Sequence, residues 1–357
     1  MQLYGGISRY FYELIRESNS CPQVRKKLSL KYSNNIFIKN LYPPVRESLF
    51  FKHNLPYKAI ITNRMNLPTS IKLLKNFSEY DLFHPTYYNP YFLKYLPNKP
   101  FIITIHDMIH ERLPAFFRKN DPVVFHKTVL AQRAAHIIVV SEATKRDVID
   151  ILRIPEKKIS VVYHGSSMKR APIKKPDTNN DNGRYLLYVG GRRYYKNFIF
   201  FLKSIAPLFK KFSDLKLVCS GGGGFRRDEQ SLIKAMNIRE RIYQSSCDDK
   251  KLSSLYQNAQ AFVFPSLYEG FGIPVLEAFA NNCPVVCSNT PALSEIAGDA
   301  ALFFDPQDTP SINNAILSIL TNEQLREDLI GRGRRRLESF SWDDTREQTD
   351  NIYKQFA

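Results

Sequence analysis

The sequence predicts an α/β protein built from two open-sheet domains, and three observations carry that expectation. The 357 residues suffice for two domains of roughly 150 to 180 residues, each able to bury its own core. Twice a buried-strand pattern runs into a glycine turn and then a helix: once at residues 184–209 and once at residues 259–280. Between the two halves lies SSMKRAPIKKPDTNNDNG, a Pro-, Asn-, Asp- and Lys-rich stretch without periodicity, as expected of a linker. The predicted boundaries are 1–167 for the first domain, 168–183 for the linker and 184–340 for the second domain, with a final helix over 341–357 that crosses back to the first.

Composition narrows the class. A hydrophobic fraction of 43% with 13% aromatics indicates a globular chain. No apolar run approaches the ~18 residues that span a bilayer, and the start does not read as a signal peptide, so the expectation is a cytosolic or peripheral protein. Cys21, Cys219, Cys247, Cys283 and Cys287 are scattered through apolar segments and lack paired metal-ligand spacing, which favours buried thiols. Lys and Arg outnumber Asp and Glu 25 to 12 over residues 1–167 but only 26 to 22 over residues 168–357. The first half also interleaves cations with Phe, Tyr and Leu in IFIKNLYPPVRESLFFKHNLPYKAI, which suits an anionic membrane surface or a phosphate-bearing acceptor. Nothing reads as a nucleic-acid motif.

In order along the chain, Gly5 and Gly6 form a glycine loop entering an amphipathic helix with Ile7, Tyr10, Phe11 and Leu14 on one face. Such a loop should follow a strand, yet only four residues precede it, so the first strand of the domain is expected to be missing, through a late-assigned start or a natural loss. Residues 24–80 carry no clean period. Tyr80–His84 reads as a short strand, with His84 either facing a site or structural. Phe101–Ile105 reads as a buried strand with His106 and Asp107 at its C-terminal end, the edge where open α/β sheets bind ligands. There an imidazole can bond a sugar hydroxyl or a phosphate with Asp107 orienting it; alternatively Asp107 is a cap beside a core histidine. His110 is a second polar group of that loop. A helix, a strand over His136–Val140, a helix capped by Ser141 and a strand over Lys158–Tyr163 complete the domain, which closes at His164-Gly165.

The second domain restarts at Arg184–Val189, and Gly190, Gly191, Arg192, Arg193 and Lys196 lead into a helix. Arg192 and Lys196 stand where a helix N-terminus would neutralise a diphosphate, with Arg193 as an interchangeable candidate for Arg192. Gly221–Gly224 follow the next strand, and a helix begins near Asp248. The most informative stretch is SLYEGFGIPVLEAFA, Ser266–Ala280. It sets Glu269 and Glu277 eight residues apart, with Gly270, Phe271 and Gly272 between them and Pro274 in the first turn of a helix expected over 273–280. The glycines permit close backbone approach, and the unpaired N–H groups of the helix start favour a polar or anionic ligand. Neither Asp248-Asp249 nor Asp343-Asp344 sits at a strand end, so no metal-binding pair is expected.

The string YEGFGIPVLEA, with its E-x7-E pair, resembles the signature of retaining glycosyltransferases of the GT4 type (glycosyl transferases group 1). That large family has the GT-B fold, two Rossmann-like domains facing a central cleft. The resemblance implies a hexosyltransferase that uses a nucleoside-diphosphate sugar and retains anomeric configuration without a metal. It also implies roles: Arg192 and Lys196 stabilise the leaving diphosphate, Glu269 and the amides of Gly270, Phe271 and Gly272 hold the sugar, Ile273 belongs to the nucleotide-sugar site, Glu277 holds the ribose, and His106 contacts the donor sugar. The resemblance further implies that the Gly5-Gly6 loop faces the donor phosphates and the acceptor, and that Gly191 and Gly222 belong to the nucleotide-sugar site. YGGISRYF and YKNF further resemble bacterial enzymes of O-antigen and other surface-polysaccharide synthesis, often mannosyltransferases. GDP-mannose is the favoured donor with a UDP-sugar as alternative, and the acceptor is a glycan or a polyprenyl-diphosphate-linked glycan. An epimerase or hydrolase of the same architecture and an inactive truncated remnant are the competing readings.

Overall fold

The computed structural model describes residues 5–16, 23–33, 35, 58–96, 98–172 and 183–357. The chain divides into two compact units, Met1–His164 with Trp342–Ala357, and Gly165–Ser341. Cys21, the segment upstream of Gly5 and most of the basic, aromatic stretch over 36–60 lie outside the described residues, as does much of the linker.

The first unit begins with helix α1 (Gly6–Ile15), whose Tyr10, Phe11 and Leu14 are buried. Helix α2 (Lys58–Lys75) falls in the stretch that carries no clean period, since Pro68 lies inside it and polar Asn66 and Ser70 are among its buried residues. Strand β1 (Ile102–Ile105), helices α3 (Ile109–Arg112) and α4 (Val123–Arg133), strand β2 (His136–Val139), helix α5 (Glu142–Leu152) and strand β3 (Ile159–Val161) follow. Ser141 caps α5 by accepting the Thr144 N–H at 3.0 Å. The three strands form a parallel sheet in the order β1-β2-β3, each fully or largely apolar, as strands covered on both faces must be. Of the short strand expected at Tyr80–His84, only a single parallel bridge from Phe83 to Phe101 forms.

The second unit is a six-stranded parallel sheet. Its elements are β4 (Tyr185–Val189), α6 (Phe198–Ser204), α7 (Ala206–Lys211), β5 (Lys216–Ser220), α8 (Arg227–Ala235), β6 (Ile242–Ser245), α9 (Asp249–Asn258), β7 (Ala261–Phe264), α10 (Ile273–Ala280), β8 (Val285–Ser288), α11 (Pro291–Ala297), β9 (Ala301–Phe304), α12 (Thr309–Thr321) and α13 (Glu323–Leu337). The strand order is β6-β5-β4-β7-β8-β9. The chain thus winds outward from β4 in one direction and, from β7, in the other, so the order reverses between β4 and β7. A crevice opens at such a reversal, beyond the carboxyl ends of the two strands. On one face Leu186, Tyr188, Leu217 and Cys219 pack under Phe198, Phe201, Leu202, Ile316 and Ile319, all essentially inaccessible to solvent.

The helices after β9 brace rather than merely solvate. Arg334 donates to Asn282 Oδ1 at 2.8 Å and Arg336 to the Glu295 carbonyl at 2.7 Å. The last helix, α14 (Trp342–Phe356), belongs to the first unit. Its Ile352 packs with Ile102, Ile138 and Val162, Thr345 Oγ1 donates to the Tyr163 carbonyl at 2.6 Å, and buried Arg346 lies 3.4 Å from Glu13 of α1.

Candidate active site

In the second unit the reversal point is built from two loops. The first follows β4. Gly190 has φ 121°, and then the chain makes a short 3-10 turn over Tyr194–Lys196 before α6. Tyr194 and Asn197 both adopt positive φ, 51° and 59°, which side chains other than glycine rarely do. The surroundings over-determine this backbone: the Tyr188 hydroxyl donates to the Gly191 carbonyl at 2.6 Å, Asn197 Nδ2 to the Pro306 carbonyl at 2.7 Å, and the Leu267 N–H to the Tyr195 carbonyl at 2.7 Å. The last of these bonds ties the first loop to the second, which follows β7.

The second loop carries Glu269 into α10. Gly272 has φ 113°, and a Cβ there would stand 2.8 Å from Leu293 Cδ2, so the position admits only glycine on two separate grounds. Pro274 sits in the first turn of α10, where its missing N–H is no loss. Phe271 is 5% exposed with its ring edge-on to Phe340, so its side chain is structural and only its backbone could meet a ligand. Across the reversal point, Lys196 Nζ donates to Glu269 Oε1 at 2.5 Å, with the ammonium also 5.3 Å from the Phe264 ring centroid. Both side chains are mostly buried, 21% and 14% exposed, where a charge-assisted bond is strong. Glu277 accepts from the Tyr256 hydroxyl at 3.2 Å; burial, then the Glu277 charge, holds that phenol protonated far above its ordinary range.

Arg192 is placed differently from expectation. It is only 3% exposed, and its guanidinium donates to the carbonyls of Gly221 (2.8 Å), Gly223 (2.7 Å) and Gly224 (2.9 Å). Buried Glu229 lies 3.3 Å from Nε, and the Phe225 ring centroid is 4.8 Å away. The idea that Arg192 stands free beside Lys196 to meet a diphosphate is therefore corrected: it holds the tetraglycine turn, in which Gly221, Gly222 and Gly223 all have positive φ. Gly222 is needed there because a Cβ would come within 3.0 Å of Arg192 Nη1 and of the Gly190 carbonyl. Arg193, left as an interchangeable candidate, is exposed, and so is Gly191. One buried group that sequence reasoning missed lies beside the Glu269 loop: Ser266 Oγ, without a hydrogen-bond partner. A serine after an apolar strand carries no distinguishing signal.

Gly5, Gly6 and His106 belong to the first unit. Gly5 and Gly6 are exposed, with Gly5 at φ 135° ahead of α1. His106 stands at the end of β1. Its backbone N–H donates to the Tyr88 hydroxyl at 3.0 Å, and the Tyr10 ring meets its imidazole edge-on at 5.1 Å. Burial, then the neighbouring His164, His84 and Lys127, push His106 well below its ordinary value, so it is a neutral imidazole. Asp107 plays the capping part, accepting the Ile109 N–H at 3.1 Å. Lys127 is completely buried and reaches both the Asp107 carbonyl and Glu111 Oε2 at 2.9 Å, a clamp on the His106 loop that nothing in the sequence marks. His84 proves structural, sharing hydrogen bonds with Tyr353 (2.6 Å) and Thr104 (3.0 Å). The Asp248-Asp249 and Asp343-Asp344 pairs open helices α9 and α14, and no group of three or more metal-ligating side chains occurs among the described residues.

The sequence matches the family described as Glycosyltransferase Family 4 over residues 4–170 and that described as Glycosyl transferases group 1 over residues 169–336. It is 29% identical to O-antigen chain mannosyltransferase B of Escherichia coli over 98% of this chain and 96% of that protein. It is 30% identical to O-antigen chain mannosyltransferase RfbU of Salmonella typhimurium over 70% of this chain and 68% of that one. Among solved structures, Anabaena HepE, crystallised with UDP and glucose, superposes with a TM-score of 0.74 at 14% identity, over 98% of this chain and 96% of that one. Two Rossmann-like units, an ion pair at the strand-order reversal of the second, and these matches lead to one conclusion: the chain belongs to the group 1 glycosyltransferases of family 4 and has the GT-B fold.

Proposed function

We propose that the protein transfers mannose, with retention of anomeric configuration, from GDP-mannose to a glycan or polyprenyl-diphosphate-linked acceptor in surface-polysaccharide synthesis. The observation that carries the reading is the Lys196–Glu269 pair at 2.5 Å across the β4–β7 reversal. The bond from the sugar C1 to the β-phosphate oxygen breaks with its electrons kept by the diphosphate. The acceptor oxygen bonds C1, and its proton leaves with the phosphate. Lys196 and the N–H groups at the start of α10 meet the charge that develops on that phosphate in a partly desolvated setting, where fixed charge is worth most. Glu269, held by Lys196, accepts from a sugar hydroxyl, and the amides of Gly270 to Gly272 bond the sugar. Glu277, fixed by Tyr256, accepts from the ribose diol. Arg192 acts one step removed, by holding the Gly221–Gly224 turn. His106 offers a neutral imidazole to a sugar hydroxyl, a role a cation would perform less well because only the neutral ring both donates and accepts. With Lys196 as the charge partner, the reaction is expected to run without a metal.

The mannosyltransferase names of the two bacterial relatives support the choice of sugar, and the basic excess of the first half supports docking at an anionic membrane face. A screen of GDP- and UDP-sugars, with the anomeric configuration of the product read by NMR and with chelator present, tests donor, stereochemistry and metal independence together. Lys196→Ala is expected to lower turnover by about 10²- to 10³-fold, with a smaller effect on donor affinity. Unchanged turnover would remove Lys196 from the phosphate site.

A further inference from the structure

Two residues of α1 fill the space between three histidines of the first unit. The Tyr10 ring lies 5.1 Å from the His106 ring, nearly perpendicular to it at 83°, and 5.0 Å from the His164 ring. Phe11 stands 5.3 Å from His84 and 6.2 Å from His106. Tyr10 and Phe11 are buried, whereas His106 is only half-buried, so the imidazole is walled by rings and still keeps accessible surface. The Tyr10 hydroxyl is 2.9 Å from Thr104 Oγ1. Thr104 precedes His106 by two residues at the end of β1, the spacing of neighbours on one strand face, and Tyr10 touches both. Thr104 Oγ1 is also 3.0 Å from His84 Nε2, and His84 Nδ1 is 2.6 Å from the Tyr353 hydroxyl of α14. A chain of three hydrogen bonds thus runs from α14 through His84 and Thr104 to Tyr10. Burial keeps the Tyr10 and Tyr353 phenols protonated above their ordinary range and His84 neutral. Each of the four groups then holds one hydrogen, enough to fill the three bonds without introducing a charge.

We propose that Tyr10 is a positioning residue for His106: its ring sets the plane of the imidazole, and the chain through Thr104, His84 and Tyr353 holds that ring in place. The proposal rests on the reading of His106 as a contact of the donor sugar. A histidine ring turns about its last torsion in a broad, two-fold well, so an unwalled imidazole would swing its donor and acceptor nitrogens away from a sugar hydroxyl. An aromatic neighbour at about 5 Å in a perpendicular arrangement favours one setting of that torsion. Ring contact alone would leave Tyr10 free to shift with the imidazole. Its buried hydroxyl removes that freedom, because leaving Thr104 would strand a polar group without a partner. Tyr10 acts through His106 and does not itself meet the sugar. On this account the C-terminal helix takes part in the reaction at a distance, since Tyr353 closes the far end of the chain.

The test uses the full chain with nitrogen-15 in its histidines, and His106→Ala identifies the His106 signals. Wild type is expected to show one sharp pair of ring-nitrogen shifts for His106, that of a single neutral tautomer. Tyr10→Phe keeps the ring and removes only its anchor, and is expected to broaden or average that pair. Thr104→Val should do the same from the other end of the bond, and Thr104→Ser, which restores the hydroxyl, should recover the sharp signals. In transfer from GDP-mannose to an octyl glycoside of a mannose disaccharide, Tyr10→Phe is expected to lower kcat/KM about tenfold. Adding it to His106→Ala should change the rate of that variant by less than about twofold, because both changes remove one function. Unchanged His106 shifts in Tyr10→Phe, a broadened wild-type signal, no recovery with Thr104→Ser, or losses that multiply in the double variant would each overturn the proposal. A wild type without turnover, or a His106→Ala variant as fast as wild type, would instead defeat the sugar-contact reading, and the NMR comparison would still decide whether Tyr10 sets the ring.

Discussion

The two units solve the same problem, placing polar groups at the end of a parallel sheet, by opposite means. All seven histidines of the chain fall in residues 1–164, while four of its five cysteines fall in the second unit. The first unit gathers His84, His106 and His164 with Tyr10, Tyr353 and Trp342 around a three-stranded sheet, and these imidazoles are kept neutral by burial. The second unit has six strands, a large apolar core and inert buried thiols such as Cys219, pushed up to about 12 by burial. Its site is made of full charges, Lys196 and Glu269, that support each other. A cluster of neutral imidazoles answers to acid, because its rings protonate once the chain unfolds.

Acid is accordingly the strongest way to separate the units. His84 and His164 are pushed down to about 3, and His106 also lies well below its ordinary value. In the folded state these rings stay neutral, whereas in the unfolded chain they protonate below about pH 6.5. Their contribution is complete above that pH and is lost as pH falls toward 3, at about 1.4 kcal/mol per pH unit for each ring. The single tryptophan, Trp342, stacks on His164 at 5.4 Å, so its emission reports the first unit alone. Its change is expected at higher pH than the loss of far-ultraviolet dichroism from the second unit, and coincident transitions would contradict the contrast.

A second way to break the first unit is through Lys127. Lys127→Ala leaves Glu111, 4% exposed, as a buried unpaired carboxylate, at a cost of about 3 to 5 kcal/mol in urea unfolding followed by Trp342. The double variant Lys127→Met with Glu111→Leu is expected to recover most of that stability but not the transfer rate, because the hold on the Asp107 carbonyl is gone. Full recovery of both would reduce the clamp to a packing element. In the second unit the corresponding weak point is backbone, not charge. Gly272→Ala meets both the 2.8 Å contact with Leu293 and the positive φ, and is expected to cost about 2 kcal/mol. Faster labelling of the buried Cys283 and Cys287 thiols would register it while Trp342 emission stays unchanged.

These contrasts also mark which features could be read along the chain. Helix α10 over Ile273–Ala280, with Pro274 in its first turn, was legible because proline and glycine state their backbone requirements locally. Strands β1, β2, β4 and β7 were legible as short apolar runs between turn signals. Helix α2 was not, since Pro68 and its buried Asn66 and Ser70 break the apolar period; Asn66 Oδ1 instead accepts the N–H groups of Lys31 and Tyr32 at 3.1 and 2.8 Å. Arg192 and Lys196 looked equivalent because both are cations of the turn that leads into α6, which begins at Phe198. Only the neighbours distinguish them: carbonyls of a distant glycine turn claim one, and a carboxylate across the reversal point claims the other.

By itself the sequence determined the class of fold, the family, and the residue types at the second unit's strand ends, because periodicity, turn residues and the E-x7-E spacing are properties of contiguous chain. Tertiary structure alone decided which charges are paired and which are buried: that Lys196 meets Glu269, that Arg192 is turned inward, and that Lys127 grips the His106 loop. The physical reason is that burial and electrostatic pairing depend on distances between residues far apart in the chain, and no local pattern encodes those distances.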